Sequence, residues 1–62
     1  MHPLEHKIQY IKEQLQLGNI TKGEHDYLIT EIEDVRAAQE CADDEVLFRH
    51  IVSLCKIAKG LI

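Results

Sequence analysis

The sequence predicts an all-α fold: an antiparallel helical hairpin plus a third C-terminal helix, a small helical bundle completed by oligomerisation. Three observations lead there. Apolar residues recur at helical spacing in three segments. Glycines and capping residues separate those segments. No alternating strand pattern competes with them.

The first helix is expected at about residues 3–17. Leu4, Ile8, Ile11 and Leu15 follow at spacings of four, three and four, which puts them on one face. Pro3 suits a first turn, where its missing N–H leaves no bond unmade. Glu5 sits near the positive end of the helix dipole. Gly18 can take the left-handed conformation that ends a helix.

The second helix, about 22–41, has the clearest local signal in the chain. Thr21-Lys22-Gly23-Glu24 fits a capping box, hydroxyl to amide in one direction and carboxylate to amide in the other. Leu28, Ile32 and Val35 then mark an expected buried face. The linker Gly18-Asn19-Ile20 is short enough to make helices one and two antiparallel neighbours.

The third helix is expected at about 44–59. Residues 41–44 hold no glycine or proline, so one long bent helix is the alternative. The apolar phase favours a break near 42–44. Continuing the stripe of helix two would bury Arg49 and Ser53, whereas the apolar set is Leu47, Ile51, Leu54, Ala58 and Leu61. That is a rotation of about a third of a turn. Asp43 or Asp44 can cap the new helix, and Lys59-Gly60 can end it.

Residues 3–32 resemble the short helical hairpin known as the SHOCT domain. The resemblance rests on Pro3-Leu4-Glu5, then Ile8, Ile11 and Leu15, then Gly18, Ile20-Thr21 and Glu24. Asn19 stands as an extra residue, and His25 stands where the family has an aromatic. The helix-two lysine of the pattern is absent. The resemblance implies a helical hairpin and an oligomerisation or interaction role, with no catalytic residues to carry over.

Size bears on function. The 62 residues form a single domain, and cores of this size supply only about 3–5 kcal/mol without a staple. Cys41 and Cys55 are the two cysteines. Residues 1–17 show no secretory signal, and no apolar run approaches the roughly 20 residues of a membrane span. A cytoplasmic protein with two reduced thiols and no membrane association is the expectation. The missing staple is then a partner chain.

Charge is segregated. Residues 1–21 balance, residues 22–45 carry nine acids against two bases, and residues 46–62 carry three bases and no acid. Acidic helix two lying beside basic helix three accounts for this without a ligand. The net charge of −4 argues against nucleic-acid binding by bulk charge.

Chemistry is sparse. His2 and His6 are four apart, but no third ligand follows at helical spacing. His25, His50, Cys41 and Cys55 lack the dense spacing of a structural zinc site. Lys56 beside Cys55 could lower a thiol pKa, yet Cys55 lies at core spacing from Val52 and Ile51. There is no phosphate-binding glycine loop and no nucleophile elbow. Neither an enzyme nor a metal or cofactor site is expected.

An interaction module is expected, acting as a homodimer or higher oligomer, as an adaptor, or as a stoichiometric regulator of a larger protein. Its interface is expected on Leu47, Phe48, Ile51, Val52, Leu54, Cys55, Ala58 and Leu61, a stripe broader than one hairpin can cover. Chains of this type recur among phage and mobile-element accessory proteins. The alternative is a small nucleic-acid-binding regulator using Arg49, Ser53, Lys56 and Lys59 on the opposite face of helix three.

Overall fold

His2 starts the first helix by accepting the Leu4 amide on its ring Nδ1 at 3.0 Å. Helix α1 then spans Pro3–Gln16, with the proline in its first turn. The computed structural model describes residues 2–60. Gly18 ends α1 at φ 79°, the one positive φ among the described residues. Its amide donates to the Leu15 carbonyl at 3.0 Å and the Asn19 amide to the Gln14 carbonyl at 2.9 Å. This paired closure satisfies the last carbonyls of the helix.

The capping box then restarts the chain. The Glu24 amide donates to Thr21 Oγ1 at 3.1 Å, and the Thr21 amide donates to Glu24 Oε1 at 3.0 Å. Helix α2 covers Lys22–Glu31, a π turn covers Ile32–Arg36, and α3 covers Ala37–Glu40. These three run on without interruption as one rod. The break expected near 42–44 is present. Asp44 caps helix α4, Glu45–Gly60, by accepting the Leu47 amide on Oδ1 at 3.0 Å. The described residues thus form three helical rods joined by short turns, with no strand.

The core takes Leu4, Ile8 and Ile11 from α1, and Ile29, Ile32, Ala37 and Cys41 from the second rod and its end. Helix α4 supplies Ile51, Cys55 and Ala58. His25 is buried among them at 1% exposure.

The expected buried face of the second helix needs correction. Ile32 is buried, but Leu28 is 37% and Val35 45% exposed. The inward positions are His25, Ile29, Ile32, Ala37 and Cys41, with one step of five residues. That step is the π turn, closed by the Ala37 amide donating to the Ile32 carbonyl. A regular α-helix would have turned Val35 and Arg36 inward after Ile32. The extra residue instead keeps Arg36 free to pair with Glu40, 2.6 Å away, and points two small side chains into the core.

Candidate functional site

Helix α4 has two faces, and they serve different ends. On the inner face Ile51, Cys55 and Ala58 are buried by this chain's own helices. Leu47, Phe48, Val52 and Leu54 are partly buried against the same core. The expectation of a broad stripe left for a partner is corrected accordingly: its centre is core, and only its edges remain accessible. The two other rods, α1 and the second rod, cover the centre of the stripe between them. Leu61, the last residue of the expected interface, lies outside the described residues, as does Ile62.

The basic face divides as well. Lys59 Nζ lies 2.7 Å from Glu33 Oε1 in the π turn. The Glu33 carboxylate beside it holds the Lys59 ammonium above the usual lysine range, against the opposing effect of desolvation. The Lys59 carbonyl accepts from Lys22 Nζ at 3.2 Å. Lys59 thus ties α4 to the acidic second rod, as the charge segregation suggested. Arg49 pairs with Glu45 on its own helix at 2.7 Å, with both side chains well exposed. Ser53 and Lys56 are exposed, and Lys56 has no ion pair among the described residues.

His2 is occupied as a cap, while His6 is exposed. His50 Nε2 stands 3.6 Å from Glu5 Oε1 across α1 and α4. Below that pair a groove of about 320 Å3 is floored by Ile8, Leu54, Ile57 and Ala58. Among the described residues no three His, Cys, Asp or Glu side chains gather as a metal site would require. Both cysteines are free and buried. Burial, with Glu33 adding, pushes the Cys55 thiol up to about 11. Burial also raises Cys41, helped by Glu40 and Asp44. Neither thiol is poised as a nucleophile.

Buried His25 shares Asp26 Oδ1 through its Nδ1 at 2.8 Å, and its Nε2 has no hydrogen-bond partner. Lys22 Nζ lies 2.7 Å from the same carboxylate oxygen. Lys22 first, then His25, holds the Asp26 carboxyl below the usual carboxylate range.

From the sequence the outer face of α4 was singled out only as a nucleic-acid face, and the outer face of the second rod not at all. On α4, Val46 is 81% and Ile57 60% exposed, on either side of Arg49 and Lys56. On the second rod, Tyr27 is 69% exposed. With Thr30, Glu31, Asp34 and Val35 it lines an open surface depression. The signal for these faces was the set of apolar residues left over once each buried stripe is assigned correctly. Among the described residues no helix is long and apolar enough to cross a membrane. Comparison with protein-family models, curated proteins and solved structures gave no match.

Proposed function

We propose that the chain is a non-enzymatic protein–protein interaction module, a homo-oligomeric adaptor or a stoichiometric regulator or inhibitor of a larger protein. One observation carries this reading: large apolar side chains stand exposed on all three rods of a very small domain. Val46, Leu17, Tyr27, Tyr10 and Ile57 are the most exposed, with Val35 at 45%. Such side chains gain most by association when they sit in ordered rows beside charges that can select a partner. In this reading residues 3–32 form an antiparallel hairpin of the SHOCT kind, α4 completes the bundle, and oligomerisation adds the stability a small core lacks. The buried, high-pKa thiols suit a reducing cytoplasm.

The nucleic-acid reading is weaker, because two of its three cations hold carboxylates of this chain, Arg49 with Glu45 and Lys59 with Glu33. The experiment is a titration of labelled single- and double-stranded oligonucleotides with the full chain at several salt concentrations. No binding at micromolar concentrations is expected. Binding that falls steeply with salt, and weakens in a folded Lys56→Ala variant, would overturn the proposal in favour of a nucleic-acid regulator.

A further inference from the structure

The outer faces of α2 and α4 match each other in charge and spacing. Glu24 and Glu31 are seven residues apart on α2, with Tyr27 between them, and all three are exposed. Arg49 and Lys56 are seven residues apart on α4, with Ser53 between them, and these too are exposed. Seven residues of α-helix place like charges about 10.5 Å apart along each axis. A large aromatic thus faces the same interval as a small hydroxyl side chain. Apolar residues border both rows, Val35 on one and Val46 and Ile57 on the other.

We propose that this protein associates with further copies of itself by laying the acidic outer face of α2 on the basic outer face of α4 of the next copy. The proposal rests on the interaction-module reading and names the partner. Two acids meet two bases, and Tyr27 packs over Ser53. The apolar residues line one edge of the contact, where desolvation strengthens the charge pairs. Arg49 gives up or shares its bond to Glu45, an exposed pair within one helix that is easily exchanged. Glu24 keeps one oxygen on the Thr21 amide and turns the other outward.

Each face lies opposite the core side of its helix, so the two faces of one molecule diverge. A single neighbour does not satisfy both, and the contact is head-to-tail. Assembly therefore grows with concentration and weakens with salt, because charges on an exposed interface are screened.

The test uses two charge-reversed variants of the full chain. One is Glu24→Lys with Glu31→Lys, and the other is Arg49→Glu with Lys56→Glu. Circular dichroism establishes that each is folded, and light scattering at up to about 1 mM chain gives the mass. Each variant alone is expected to stay at 7.2 kDa where the native chain is larger. An equimolar mixture of the two is expected to recover the larger species, since each reversed face then meets a reversed partner. If both variants assemble like the native chain, or if neither does and mixing restores nothing, this pairing of faces is overturned while an interaction module using another surface stands. A native chain that stays at 7.2 kDa throughout overturns self-association itself.

Discussion

Asp26 shows how much one side chain does at a helix start. It holds Lys22 and also Nδ1 of the buried His25. Its folded carboxyl lies below the ordinary value of 3.8. A depressed folded value means stabilisation that is present above the unfolded pKa and lost as pH falls through the folded one. Asp26→Asn should therefore be less stable at neutral pH and lose less than the native chain below about pH 4. Parallel losses in urea unfolding at pH 7 and pH 3 would show that Asp26 makes no such contribution. Cys55 behaves in the opposite sense. Its folded thiol is raised from 9.0 to about 11, so the stabilisation holds below 9.0 and drains away as pH rises toward 11. At pH 8 the native chain should leave a thiol reagent unconsumed, while the urea-unfolded chain titrates both cysteines. Rapid reaction of the native chain would mean that the inner face of α4 opens readily.

At the scale of the element, start and stop signals were legible in the sequence and the middle of the second rod was not. Gly18, the Thr21–Glu24 box and the Asp44 cap act through their own neighbours, so local sequence suffices to find them. The π turn depends on what the rest of the chain requires. Leu28, Ile32 and Val35 made a regular apolar stripe, but the core takes Ala37 and Cys41, whose small side chains stand out little in a hydrophobic pattern. The outer face of the second rod was missed for the same reason, while the exposed Val46 and Ile57 lay outside the expected stripe of α4 and were passed over. The π turn has a direct test. Deleting Val35 brings Ile32 and Ala37 to a spacing of four, which an ordinary α-helix satisfies. That deletion should keep the helical circular dichroism signal and a cooperative melt. Deleting Thr30 puts Ile29 and Ile32 about 200° apart on the helix. It should unfold the chain, since expelling one buried isoleucine costs about 2–5 kcal/mol. Equal loss of structure in the two deletions would contradict this role for the extra residue.

Across the whole molecule a few long-range contacts and one small core hold the chain together. The Lys59–Glu33 pair and the Lys22 bond to the Lys59 carbonyl fasten α4 to the second rod. Behind them lies a core of short aliphatic side chains, two cysteines and one histidine. A core of that size is worth about 3–5 kcal/mol, a margin that one added interface can double. Under the proposed self-association the melting temperature should rise with chain concentration. Sedimentation equilibrium of the native chain across the micromolar range, in low and in high salt, is the most direct measurement. A mass above 7.2 kDa that grows with concentration and shrinks with salt is expected. A folded chain that remains at 7.2 kDa at every concentration and salt would contradict it.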